Sequence, residues 1–187
     1  MCGRYALFSE NKILHCINKK VEIKKNYNVS PHNKVLLIDK DLNLLNLKWG
    51  IKPSWSKSVI INARNETLRE KKTFCNLQRC VFVADGYYEW MNFKGEKRPF
   101  YHYLDNNFLF FAGLYNESGC CIVTTESFSY LSNIHNRQPF FLREDQIEFW
   151  INKSKGNVEF NKIINFHPVS KNVNKTWNNY PELIDEI

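Results

Sequence analysis

Residues 80–124 read CVFVADGYYEWMNFKGEKRPFYHYLDNNFLFFAGLYNESGCCIVT. Short apolar and aromatic runs are cut by Asp85-Gly86, Lys94-Gly95 and Asp105-Asn106-Asn107, all turn-forming residues. This pattern predicts strands over residues 80–84, 87–91, 99–104, 108–114 and 120–124. Upstream, residues 35–38 and 42–49 predict a hairpin about Asp39-Lys40-Asp41, and residues 9–20 an amphipathic helix with Ser9 as N-cap and Ile13, Leu14 and Ile17 on one face. Helices are also predicted over residues 126–133, 143–152 and 158–164. Strands in the middle and helices at the flanks give an α+β class: a single domain over residues 1–187, with a curved or barrel-like, mainly antiparallel β core flanked by helices.

Composition narrows the function classes. The chain has 187 residues, 26 Lys+Arg against 19 Asp+Glu, and a formal net charge of +7. With 43% hydrophobic and 15% aromatic residues it is built to bury a core, which excludes a disordered chain. No stretch approaches the roughly 20 apolar residues of a membrane span, and the start has no signal-like apolar run, so a cytosolic or nuclear location is expected. Only seven of the basic residues are Arg: Arg4, Arg64, Arg69, Arg79, Arg98, Arg137 and Arg143. Where Lys is the default cation, each Arg marks a candidate position for a flat, bidentate fork. The six cysteines, Cys2, Cys16, Cys75, Cys80, Cys120 and Cys121, form no C-x-x-C pair, and Cys75 and Cys80 lack a second ligand pair at zinc spacing. No metal or cofactor is expected.

Cys2 stands apart by position. A residue this small after Met1 permits removal of the methionine, leaving an amino-terminal cysteine. Its α-amine, with a reference pKa of about 8, and its thiol, at about 8.5, form a 1,2-aminothiol. Such a pair closes an aldehyde into a thiazolidine, the amine forming an imine and the thiol adding to the imine carbon. Acyl transfer with the amine as base is the other chemistry open to it, and an inert second residue is the plain alternative. Polar groups set in apolar segments supply possible helpers. Asn62 and Arg64 follow Val59-Ile60-Ile61, and Glu89 lies in the aromatic run 87–90, where apolar surroundings raise a carboxyl pKa. His135 and Arg137 follow a predicted helix. Each has a simpler explanation: Asn62 capping a turn, Glu89 pairing with Arg98, His135 as a satisfied core histidine.

Taken together, these residues fall in a recognisable series: CGRY at 2–5, YNVSP at 27–31, WGIKPSW at 49–55, NARNET at 62–67, RCVFVADGYYEW at 79–90, FAGLY at 111–115, TTE at 124–126, IHNRQP at 134–139 and HPVSKNVN at 167–174. In this order the chain resembles the SOS-response-associated peptidase (SRAP) family, abasic-site-shielding proteins that attach covalently to single-stranded DNA. The resemblance implies that Met1 is removed by self-processing and that Cys2 forms a thiazolidine with the ring-opened abasic sugar. It further implies that Asn62 positions Cys2 and the deoxyribose, Glu89 moves protons, and His135 assists at the sugar oxygen. Arg4, Arg64 and Arg137 would hold phosphates. Trp55 and Trp90 would stack beside neighbouring bases, core packing being the other role open to both and to Trp90 above all, while Trp49 belongs to the core. Three positions depart from the family's usual residues: Asn65 for Ala, Asn136 for Asp beside His135, and Gln138 for Met. The implied partner is single-stranded DNA with abasic sites, bound by a monomer with no membrane association, in the bacterial cytoplasm or the eukaryotic nucleus. A non-covalent single-strand-binding module and an amino-terminal-cysteine peptidase or amidase are the competing readings.

Overall fold

The computed structural model describes residues 2–9, 23–153 and 158–187. Strands dominate them and fall into two sheets. The first contains β1 (Tyr5–Leu7), β2 (Asn26–Val29), β7 (Gly86–Phe93), β8 (Glu96–Tyr103) and β13 (Asn165–Pro168), in the order β13-β8-β7-β1-β2. The second contains β3 (Lys34–Ile38), β4 (Leu44–Lys48), β6 (Gln78–Ala84), β9 (Leu109–Asn116), β10 (Gly119–Glu126) and β11 (Arg137–Pro139), in the order β11-β10-β9-β6-β3-β4. β5 (Asn62–Arg64) pairs with β10, and β12 (Phe141–Leu142) with β9. Every named strand pair except β5–β10 is antiparallel. The mainly antiparallel β core is as expected, but neither sheet closes into a barrel.

The five strands predicted over residues 80–124 are all present, yet their connections differ in kind. Lys94-Gly95 closes a true hairpin between β7 and β8. Asp85-Gly86 instead forms a corner: β6 lies in the second sheet and β7 in the first. The Asp85 carboxylate fixes this corner by accepting the backbone N–H groups of Phe8 (2.6 Å) and Ser9 (2.9 Å). Gly86 is required by space, since a Cβ there would lie 2.3 Å from the Tyr101 ring. Because the chain changes sheets here, the next inward-facing side chains of β7 are delivered to the seam between the sheets.

That seam is aromatic. The Tyr5 ring meets Phe82 and Phe111 edge-on, with centroids 6.4 and 6.2 Å apart, and packs 5.5 Å from the fully buried Trp49. Edge-to-face contact is the favoured geometry for such rings. Trp49 is therefore core, as expected, and its indole N–H donates to the Ile61 carbonyl (3.0 Å), tying β5 to the same seam.

The helical predictions divide. Residues 143–152 form a 3-10 turn, Glu144–Gln146, running into α2 (Ile147–Ile151); the other α-helix described is α1 (Lys72–Cys75). Residues 126–133 are not a helix: Glu126 ends β10 and overlapping turns follow. Residues 158–164 are irregular, not helical. The helix predicted over residues 9–20 lies, apart from Ser9, outside the described residues.

A candidate active site at the amino terminus

Locking Tyr5 into the core fixes the residues before it. Cys2 is fully buried at the seam, and its thiol donates a long hydrogen bond to the Arg4 carbonyl at 3.9 Å. The Asn62 amide nitrogen donates to the Cys2 carbonyl at 3.0 Å, so β5 clamps the amino-terminal backbone. Asn62 Oδ1 is buried and accepts no hydrogen bond among the described residues. Burial pushes the Cys2 thiol well above its ordinary pKa, and the nearby Glu89 carboxylate pushes it the same way, so the thiol is neutral at pH 7.

Glu89 reaches this point on β7, paired with Phe100 on β8 and only 3% exposed. Burial raises its pKa to about 7. The alternative partner Arg98 is elsewhere: it pairs with Glu96 at 3.3 Å and lies over the Phe93 ring. Cys2, Asn62 and Glu89 thus form one dry cluster drawn from the amino terminus, β5 and β7.

A second set lines an open groove: Arg64, Glu126, Ser127, Ser132, His135, Asn136 and Arg137. The parallel pairing Thr124↔Arg64 and the antiparallel pairing Glu126↔Arg137, both on β10, bring the two arginines together. Arg64 is exposed. The Arg137 guanidinium is held bidentately by Glu66 (2.8 and 3.0 Å) and donates to the Thr124 carbonyl (2.8 Å). The Arg137 amide N–H donates to His135 Nδ1 at 3.0 Å. Nδ1 also lies 3.1 Å from the Arg137 carbonyl, so the ring is held against both backbone groups of one residue. Desolvation lowers the His135 pKa and favours the neutral ring. Asn136 also lines this groove, where a family Asp would have put a charge.

Three predicted contact residues are placed differently from one another. Arg4 is half-buried, donating to Asn28 Oδ1 and to the Val173 carbonyl (both 2.7 Å), with its Cζ 6.0 Å from the Trp90 ring centre. It fastens the amino terminus to the carboxy-terminal segment. Trp90 is partly buried and its indole N–H donates to Asn174 Oδ1 (2.8 Å). Trp55, by contrast, is 71% exposed. Two organising residues were not among the predicted site residues. Asn28 is buried within YNVSP and bonds three carbonyls of the carboxy-terminal loop. Gln138 is buried and accepts the Phe128 N–H (2.9 Å). Asn28 stands between the large apolar-bodied Tyr27 and Val29, whereas Gln138 lies in a mostly polar run that gives no such signal. Among the described residues no cluster of three or more His, Cys, Asp or Glu is arranged to hold a metal, and no helix is long and apolar enough to cross a membrane.

A family model described as SOS response associated peptidase (SRAP) matches residues 1–176. The chain belongs to the SRAP family. Among similar SRAP proteins, abasic site processing protein YoqW of Bacillus subtilis is 33% identical over 99% of each chain, and abasic site processing protein YedK of Escherichia coli is 31% identical over the full length of both. The crystal structure of a phage-related protein from Bordetella bronchiseptica superposes with a TM-score of 0.75 at 26% identity, over 91% of this chain and 95% of that one. Cys2, Asn62 and Glu89, far apart in the sequence, meet at the seam, and Arg64, His135 and Arg137 line the adjoining groove.

Proposed function

We propose that this protein captures abasic sites in single-stranded DNA as a covalent adduct on Cys2, acting as a monomer after Met1 is removed by self-processing. The observation that carries the reading is the dry cluster itself: Cys2 is clamped through its carbonyl by Asn62 and lies within electrostatic reach of a carboxyl whose burial brings its pKa to about 7. While Met1 is attached, the Cys2 nitrogen is an amide and cannot form an imine; its removal supplies the amine. The amine adds to the aldehyde carbon of the ring-opened sugar, and loss of water gives the imine. The thiol then adds across the C=N bond, the S–C bond forming as the thiol proton passes to nitrogen. No oxidant is needed.

Glu89 suits both proton movements, because a group with a pKa near the working pH is present in both forms. It can protonate the departing hydroxyl of the carbinolamine and accept a proton as the ring closes. Asn62 Oδ1 offers an acceptor to the amine or a sugar hydroxyl, and His135 assists at the sugar oxygen. Arg64 and Arg137 contribute phosphate contacts from the groove, and Arg4 from its place beside Cys2. Trp55 is presented to stack on a base, and Trp90 wedges from its partly buried position. An abasic nucleotide has no base to unstack, so bringing its C1′ to a buried thiol avoids most of the usual flipping cost.

The test uses Met1-processed protein mixed with an abasic single strand, an intact strand, or a tetrahydrofuran analogue that has no aldehyde, followed by a denaturing gel. A shifted band with the abasic strand alone is expected. Cys2→Ser, which keeps the amine, should give no stable band and should be trapped only after borohydride reduction of its imine. Absence of any band from the wild type on the abasic strand sinks the proposal.

A further inference from the structure

The segment after β13 is fastened more tightly than its lack of regular structure suggests. Ser170 Oγ accepts the Asn172 N–H and opens a 3-10 turn, Lys171–Asn174. A second turn closes with Asn178 N–H on the Lys175 carbonyl (3.0 Å), leaving Thr176 and Trp177 at its tip. Asn28 Nδ2 lies within hydrogen-bond distance of the carbonyls of Val173, Lys175 and Asn178, at 3.3, 3.0 and 2.9 Å. Asn179 Oδ1 accepts the Tyr27 N–H at 2.8 Å. Arg4 and Trp90, which also bond this segment, are two residues from Cys2 and one from Glu89. On this rigid base Trp177 is 77% exposed.

An isolated exposed aromatic needs no partner in itself, so the surroundings decide. Residues 170–181 contain two lysines and no acidic residue. Asn179 also lines a groove with Lys24 and Lys34, and no Asp or Glu takes part among the described residues. A fixed, solvent-facing indole beside a groove that carries Lys24 and Lys34 has the chemistry of a single-strand track: a ring for a base and cations for the backbone. A protein partner chosen by an apolar patch would need more apolar area than one indole.

We propose that Trp177 is a second stacking platform, holding an unpaired base of the strand beyond the lesion, and that the adjoining groove takes its phosphates on Lys24 and Lys34. This rests on the reading of the amino-terminal site as a binder of single-stranded DNA. The test compares wild type, Trp177→Ala and Trp177→Phe by fluorescence anisotropy on single strands carrying the unreactive tetrahydrofuran lesion. One strand is limited to the nucleotides flanking the lesion and one extends well beyond it on both sides. Trp177→Ala should weaken binding to the long strand about fivefold or more and leave the short strand unchanged, while Trp177→Phe keeps most of the affinity. Equal affinity of wild type and Trp177→Ala for the long strand overturns the platform and leaves the indole to a protein surface. Equal losses on both strands overturn it too, placing Trp177 at the lesion itself. Crosslinking of the wild type to the short abasic strand is followed in parallel. If the wild type binds but does not crosslink, the covalent reading fails while the platform is still decided by the anisotropy. If it binds neither strand, both fall.

Discussion

The cluster at Cys2 and the groove at Arg137 are neighbours through β5 and β10, but they obtain their chemistry in opposite ways. Around Cys2, Asn62 and Glu89 the protein removes water, and desolvation holds both the thiol and the carboxyl toward their neutral forms. Around Arg64, His135 and Arg137 the site is open, and its most buried charge is neutralised by the bidentate Glu66 contact. The comparison teaches where substitutions should matter. In the dry cluster one proton changes the chemistry; in the wet groove each charge is screened and worth little.

Glu89→Gln is the sharper break. It should slow adduct formation by about 100-fold or more in single-turnover gels, the lower range for loss of a general acid–base. It should also change stability in a pH-dependent way. The folded pKa of Glu89, about 7, lies above its ordinary value of 4.5. Its contribution is therefore fully present below pH 4.5 and lost as pH rises through 7, a difference of roughly 3 kcal/mol by the usual conversion. His102, buried between Tyr87 and Phe166, works in the other direction: its folded pKa falls from 6.5 to about 4, so its contribution is present above pH 6.5 and lost as pH falls through 4. Over pH 4.5–6.5 the two slopes oppose each other. Measured by thermal unfolding, the gain in Tm of Glu89→Gln over wild type should grow from pH 5 to pH 8. A constant difference would remove the buried carboxylate from this account.

Much of this arrangement was legible in sequence where local chemistry and tertiary demand agree. The strands over residues 80–124 announce themselves because each turn former sits where a strand must end. Glu89 announces itself as the one carboxylate in an aromatic run. The failures come where distant side chains satisfy the backbone. Phe128, Leu131 and Ile134 have helical spacing, but the Gln138 side chain, ten residues on, takes the Phe128 N–H, and the segment is held as turns. At residues 158–164 the Glu159 carbonyl accepts from Arg143 and Gln146, and the Ile164 N–H donates to the Tyr130 hydroxyl, in place of helical partners. The arginines show the same limit. Composition marked Arg4 and Arg137 as forks, but only the fold shows that both already grip protein acceptors.

Glu66→Gln tests the wet side. The carboxylate of Glu66 is held below its usual pKa by the hydrogen bonds from Arg137, and its side chain is 44% exposed, a range in which ion pairs contribute little net stability. Glu66 and a DNA phosphate would compete for the same fork. Removing the charge should tighten binding to an intact single strand about two- to fivefold by anisotropy, with Tm nearly unchanged. Weaker binding would mean that Glu66 serves the strand by aiming Arg137, and the groove would then be as preorganised as the dry cluster.

Arg64→Ala should produce the smallest effect and the most diagnostic one. Arg64 is exposed, whereas the Arg137 fork also secures Glu66 and the Thr124 carbonyl across β5 and β10. An Arg137 substitution would therefore mix loss of the proposed phosphate contact with lost structure, and Arg64 would isolate the electrostatic part. Its removal should weaken binding a few-fold, equally for strands of different sequence, because phosphate contacts carry no base information. The slope of log affinity against log salt should fall by about 0.7, the value for one phosphate contact on a single strand. Crosslinking at saturating DNA should keep its wild-type rate if, as proposed, the groove sets occupancy and the dry cluster sets chemistry. A saturated rate that falls with Arg64→Ala would break that division, because an exposed cation would then be acting on the proton transfers at Cys2.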